Sequence, residues 1–155
     1  MNQSSDNHTA GFTVLIAEDD LDDRLLLGQA FKESGSKAKL LFVGDGEELM
    51  KYLLSAGTDT ARTRNPYPRL ILLDLNMPKK DGRQALFEIK TNPALETIPI
   101  MVLTTSRSDE DAVLCLGAGA DSFITKPPNY TDWIKIIREI SEQWLQFDRP
   151  PCPCR

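Results

Sequence analysis

Carboxylates at Glu18, Asp19 and Asp74, a hydroxyl at Thr104 and an ammonium at Lys126 are scattered through 155 residues, yet their chemistries belong together. Three carboxylates ionised at neutral pH repel one another when crowded, so their convergence requires a cation. Hard oxygen donors without Cys or His favour Mg2+, with Mn2+ as the alternative, and Mg2+ keeps several waters beside one or two carboxylates. Asp19 and Asp74 are the expected direct ligands, with Glu18 acting through water. Asp74 is then also a nucleophile, because a metal orients one of its oxygens and offsets the charge of an incoming phosphoryl group. Transfer of that group depends mainly on positioning and on neutralising its equatorial oxygens, a task suited to Lys126, Thr104 and loop amides. Singly, the residues have plainer readings: Asp20 and Asp23 as helix caps, Lys126 as a surface lysine beside a turn. Their order along the chain is what argues for one site.

Strands must bring these groups together. Five short apolar runs, residues 12–17, 38–43, 69–74, 98–104 and 121–125, alternate with amphipathic stretches and read as strands. The first, third and fourth are nearly unbroken Val, Ile and Leu, as the central strands of a parallel sheet covered on both faces must be. The alternation predicts an α/β fold, a doubly wound five-stranded parallel sheet. In such a sheet ligands bind beyond the carboxyl ends of the strands, at the switch point. Glu18 and Asp19 follow the first strand, Asp74 closes the third, Thr104 closes the fourth and Lys126 follows the fifth.

Helix starts are expected at Asp20 with Asp23 three later, at Asp45 before Glu48, and at Ser108 with Asp111 three later. Stops are expected at Gly35, Gly57 and Gly117. The last helix is expected over about residues 129–147, with Trp133, Ile137, Ile140 and Trp144 as its core stripe. Ile136, Leu145 and Phe147 fall outside that stripe and leave apolar surface for a partner helix, so a homodimer through this region is expected. Residues 55–68, with Arg62, Arg64, Pro66 and Pro68, read as a long polar loop.

With 41% hydrophobic residues, a chain of this length buries a sizeable core as one domain without disulfides or a structural metal. That domain is expected over residues 12–148, between a disordered leader at 1–11 and a Pro/Cys tail at 149–155. A net charge of -5 supplies no basic field for nucleic acid. No apolar run approaches the roughly 18 residues of a membrane span, and the polar leader has no export signal. A cytoplasmic protein with neither nucleic-acid nor membrane partners is expected, and too few residues follow Lys126 for a helix-turn-helix output domain. Cys115 reads as a small buried hydrophobe. Cys152 and Cys154 lack the neighbours to complete a zinc site and read as free thiols, with a chain-to-chain disulfide the alternative. The one histidine, His8, lies in the leader, so the chemistry rests on carboxylates.

Five motifs carry a family likeness: LIAEDD at 15–20, LLDLNMPKKDG at 72–82, VLTT at 102–105, GAGAD at 117–121 and FITKP at 123–127. With them the chain resembles the receiver domain of two-component response regulators over about residues 13–145. The resemblance implies a flavodoxin-like sheet of order 2-1-3-4-5 flanked by five helices. It implies that Asp74 accepts a phosphoryl group from a sensor histidine kinase and that the backbone carbonyl of Asn76 joins Glu18, Asp19 and Asp74 around Mg2+. Thr104 and Lys126 would contact the phosphoryl group, and Thr104 with Phe123 would form the switch. A cis Lys126–Pro127 bond also follows from the resemblance. The chain would be a signalling phosphoacceptor, not an enzyme, catalysing only its own phosphoryl transfer and dephosphorylation. The 55–68 loop, and the run 74–82 leading into Arg83 and residues 88–92, resemble small regulators partnered with bacterial and cyanobacterial phytochrome histidine kinases. Two departures stand out. Phe123 occupies the switch position without a hydroxyl to bond Thr104, so switching must work through packing. Thr105 replaces a smaller residue and is expected to narrow the approach of hydrolytic water.

Three other readings stay open. A haloacid-dehalogenase-like aspartyl-phosphate phosphatase also uses a strand-terminal Asp, but it wants a second Asp as general acid where Asn76 stands. A flavodoxin-like electron carrier shares the topology, although Glu18, Asp19 and Asp20 would repel the FMN phosphate. The third is a phosphorylation-independent protein-binding module.

Overall fold

The computed structural model describes residues 12–56 and 67–144. The leader with His8, the loop positions Gly57, Arg62, Arg64 and Pro66, and the end of the chain from Leu145, with Phe147, Cys152 and Cys154, lie outside the described residues. Within them, strands and helices alternate: β1 (Thr13–Ala17), α1 (Leu21–Glu33), β2 (Lys39–Val43), α2 (Gly46–Ser55), β3 (Leu70–Leu73), α3 (Gly82–Lys90), β4 (Ile100–Thr104), α4 (Asp109–Gly117), β5 (Ser122–Thr125) and α5 (Tyr130–Trp144). The strands form one parallel sheet of order β2-β1-β3-β4-β5, as expected.

β1, β3 and β4 are buried along their whole length, which is why their sequences run apolar without alternation. Successive side chains still point to opposite faces and feed two cores. Leu15, Ala17, Ile71, Leu73, Ile100 and Val102 pack under α2, α3 and α4, with Leu49, Leu86 and Cys115. Val14, Ile16, Leu70, Leu72, Met101 and Leu103 pack under α1 and α5, with Phe31, Trp133 and Ile137. Each fully buried Leu or Ile contributes about 1.5–3 kcal/mol of transfer free energy, so the sheet is a stiff base for whatever projects from its end.

The register sets that end. Ala17 lies beside Val43 and Leu73, Leu73 beside Val102, and Thr104 beside Thr125. Parallel pairing continues one residue past the strands: Glu18 N–H donates to Val43 O at 2.9 Å, Asp74 N–H to Ala17 O at 3.1 Å and Lys126 N–H to Thr104 O at 2.7 Å. The backbones of three expected site residues are thereby fixed to the sheet.

Several expectations need correction. Gly117 is the last residue of α4 rather than its stop; Ala118 caps the helix and Gly119, at φ 115°, takes the left-handed backbone that ends it. Gly35, at φ 84°, does follow the end of α1. The Lys126–Pro127 bond is trans, since no cis peptide occurs among the described residues; trans is the lower-energy form even before proline. Ile136 is half-buried against the α1–α5 core, as is Trp144, because α1 covers more of α5 than one apolar stripe requires. Asp20, Asp45 and Ser108 cap α1, α2 and α4 as expected, and Asp81, not anticipated, caps α3.

Candidate phosphoryl and metal site

At the switch point between β1 and β3, ligand oxygens of Glu18, Asp19 and Asp74 all lie within 4.8 Å of one another. Glu18 is 2% exposed and Asp74 6%, whereas Asp19 faces solvent at the open side. Burial, with the neighbouring charge of Asp74, pushes the Glu18 carboxyl up to about 7 against the pull of Lys126. A cation fits this donor set. Every donor is a hard oxygen, and carboxylates gathered this closely are the donor set that a small divalent cation such as Mg2+ takes.

Lys126 fills one side of the cluster, its side chain 7% exposed. Its Nζ donates to Asp23 Oδ2 at 2.6 Å, to Glu18 Oε1 at 2.7 Å and to Asp74 Oδ2 at 3.4 Å. Burial alone would lower the lysine; its hydrogen bonds to Asp23 and Glu18, with the charge of Asp74, hold it above its ordinary range instead. Glu18, Asp19, Asp23 and Asp74 outnumber this one ammonium, so the pocket keeps a negative excess that attracts a cation.

Other expected residues fall nearby. Asn76 N–H donates to Asp74 Oδ1 at 3.3 Å, which orients the carboxylate. Gly82 lets α3 begin directly against Asp74: a Cβ there would lie 2.3 Å from Asp74 O. Thr104 is fully buried and its Oγ1 accepts from Ser106 N–H at 3.3 Å, so its own hydroxyl hydrogen is left to donate. Phe123 is half-buried against the core under α4. Thr105 is exposed beside Thr104.

Sequence reading missed two parts of this arrangement. Asp23 was expected to serve the cap of α1, but Asp20 accepts from both Asp22 and Asp23 N–H, and Asp20 N–H is taken by Glu18. The Asp23 carboxylate instead reaches Lys126. Arg24, one residue on, donates through Nε to Glu18 O at 2.7 Å and lies over Phe42. The second is Asp111, expected in a capping box, whose carboxylate pairs with Arg83 and Ser106. An acid in a first turn next to strand ends was the available signal for Asp23; Arg83 stood in the run that carries the resemblance, but nothing in the sequence marked Asp111 as its partner.

Comparison with known proteins agrees with this geometry. Residues 14–138 match the model of the response regulator receiver domain. Response regulator Rcp1 of Synechocystis sp. is 37% identical over 142 residues, 92% of this chain and 95% of that protein. The crystal structure of the phosphorylated cyanobacterial phytochrome response regulator RcpA superposes with a TM-score of 0.77 at 38% identity, covering 88% of this chain and 96% of that one. The Mn2+-bound form of Rcp1 gives 0.79 at 36% identity, covering 91% and 99%.

Proposed function

The chain belongs to the response regulator receiver domain family, and on that footing we propose that it accepts a phosphoryl group from a sensor histidine kinase on Asp74. The observation that carries this reading is the convergence of Glu18, Asp19 and Asp74 beside the Lys126 ammonium at the carboxyl ends of the strands. The three carboxylates, with the backbone carbonyl of Asn76, would hold Mg2+ or Mn2+; the Mn2+-bound state of Rcp1 supports this. Bound there, the ion orients an Asp74 oxygen and offsets the charge of the incoming group.

The residues of the chain do the rest. An Asp74 oxygen forms a bond to phosphorus as the bond from phosphorus to the donor imidazole breaks, and the imidazole leaves with its electron pair. Lys126 Nζ and the Thr104 hydroxyl bind the phosphoryl oxygens and stabilise the charge they carry. As Thr104 moves towards those oxygens it vacates volume, Phe123 turns inward, and the surface of α4, β5 and α5 repacks. Thr105, exposed beside Thr104, would narrow the approach of hydrolytic water to the phosphoryl group.

Output is then a change in protein contacts, including a homodimer through the α5 region. Support comes from β5, a half-buried edge strand, and from Val113, Leu114 and Leu116, which stand exposed on α4. The receiver unit is taken as residues 12–148, with 1–11 and 149–155 outside it, and its place is the cytoplasm, where ATP charges the kinase. Similarity to Rcp1 and RcpA favours a phytochrome kinase as the donor. Phosphotransfer profiling against purified histidine kinases, phytochromes included, tests this: rapid transfer from a phytochrome is expected, and transfer only from other kinases contradicts the narrower assignment. A phosphatase reading is disfavoured because Asn76, two residues past Asp74, has no proton to give as an acid.

A further inference from the structure

We propose that Asp23 is a positioning residue that holds the Lys126 ammonium off Asp74 until a phosphoryl group arrives, an inference that rests on the receiver reading above. Lys126 has three carboxylates in reach and does not share itself evenly among them. Its contacts to Asp23 and Glu18, at 2.6 and 2.7 Å, are short charge-assisted hydrogen bonds, while Asp74 at 3.4 Å lies at the outer limit of one. With its side chain 7% exposed, the ammonium has little access to water and must rest on these carboxylates.

Asp23 differs from the other two. It lies in the first turn of α1, is itself 23% exposed, and is not among the three carboxylates whose oxygens converge on the candidate cation position. Its charge is free to serve the lysine. An ammonium seated on Asp74 would draw electron density from the attacking oxygen and compete with a cation for it. With Glu18 among the residues that would hold a cation, Asp23 would be the remaining short partner that keeps Lys126 within reach but withdrawn. A phosphorylated Asp74 then brings about -1.5 to -2 charges, enough to take Lys126 from a single carboxylate. The helix gives Asp23 no competing task, since the cap of α1 is supplied by Asp20.

The test uses the full chain as wild type, Asp23→Asn, Asp23→Glu, Asp74→Asn and the Asp23→Asn/Asp74→Asn double variant, with Lys126→Arg to assign the lysine side-chain Nζ and Cε resonances. Without metal, Asp23→Asn is expected to move the Lys126 signals more than Asp74→Asn does. In the Asp23→Asn background, removing Asp74 should then move them strongly, because the ammonium has shifted onto Asp74. Labelling by acetyl phosphate at saturating Mg2+ should slow about tenfold in Asp23→Asn, the scale of one charge-assisted contact, and recover in Asp23→Glu. Lys126 signals indifferent to Asp23→Asn, or unchanged labelling, overturn the proposal while wild type still labels on Asp74. A wild type that takes no label overturns the receiver reading, and this proposal with it. Should Asp23→Asn not fold, Asp74→Asn alone decides: a large Lys126 shift there contradicts the assignment and a small one supports it.

Discussion

Arg83 at the start of α3 and Asp111 in the first turn of α4 are joined by two parallel hydrogen bonds, Nε to Oδ1 at 2.9 Å and Nη2 to Oδ2 at 2.8 Å. The pair continues inward. Ser106 Oγ donates to Asp111 Oδ2 at 2.7 Å, and Ser106 N–H donates to Thr104 Oγ1 at 3.3 Å. Thr125 Oγ1 donates to Ser106 O from the neighbouring strand. The loop that leaves Thr104 is thus tied to α3 on one side and to β5 on the other.

This pair has a pH signature. The hydrogen bonds from Arg83 and Ser106 hold Asp111 down to about 2, below its ordinary carboxylate value of 3.8. A depressed carboxylate contributes stability that is fully present above its unfolded value and is lost as pH falls through the folded one. Between pH 4 and pH 2, the urea midpoint of wild type should therefore fall more steeply than that of Asp111→Asn, and added salt should narrow the difference because the pair is partly solvated. Parallel acid limbs would show that the pair contributes nothing.

Mg2+ should stabilise the fold, since the cation relieves repulsion among Glu18, Asp19 and Asp74. At a hundredfold excess over its dissociation constant the gain is about 2.7 kcal/mol, read as a rise in melting temperature. Asp19 is exposed, so Asp19→Asn should fold normally yet lose most of that rise. An equal response to Mg2+ in the variant would remove Asp19 from the ligand set.

Gly82 and Gly117 should respond oppositely to alanine. At Gly82 a Cβ would meet Asp74 O at 2.3 Å and Leu75 Cα at 2.7 Å, both backbone, so Gly82→Ala should cost about 1–3 kcal/mol and slow labelling by displacing Asp74. Gly117 is helical with nothing within 4 Å, so Gly117→Ala should gain about 0.4–1 kcal/mol through the unfolded chain. Denaturant titration of both variants checks the contrast.

In the proposed switch, Phe123 packing and the Thr104 hydroxyl would carry the signal. Phe123→Ala should take label on Asp74 as wild type does and Thr104→Ala should take it more slowly, while in both phosphorylation no longer changes self-association in sedimentation experiments. Phosphorylation-dependent association that survives in Phe123→Ala would sink the packing switch.

The sheet was legible because its central strands are buried on both faces, which forces runs such as residues 70–73 to be apolar throughout. The ends were less so, for reasons of hydrogen bonding. Ile98 was expected in the fourth strand, but its N–H goes to Leu95 O in a turn and Pro99 has no N–H to give. Arg69 and Asp74 do pair across to β1 through their N–H groups, one residue beyond each end of β3. The acidic site was legible because its members each sit at a strand end, where topology alone brings them together. Asp23 and Arg83 were not, since their partners lie 103 and 28 residues away and only helix orientation pairs them.

The most direct measurement is peptide mass spectrometry of the chain after incubation with acetyl phosphate. With Mg2+ present, wild type should gain one phosphoryl group on the peptide that contains Asp74; without Mg2+, or in Asp74→Asn, that gain should vanish. Label on another residue, or label that persists in Asp74→Asn, would contradict the assignment of Asp74 as the acceptor.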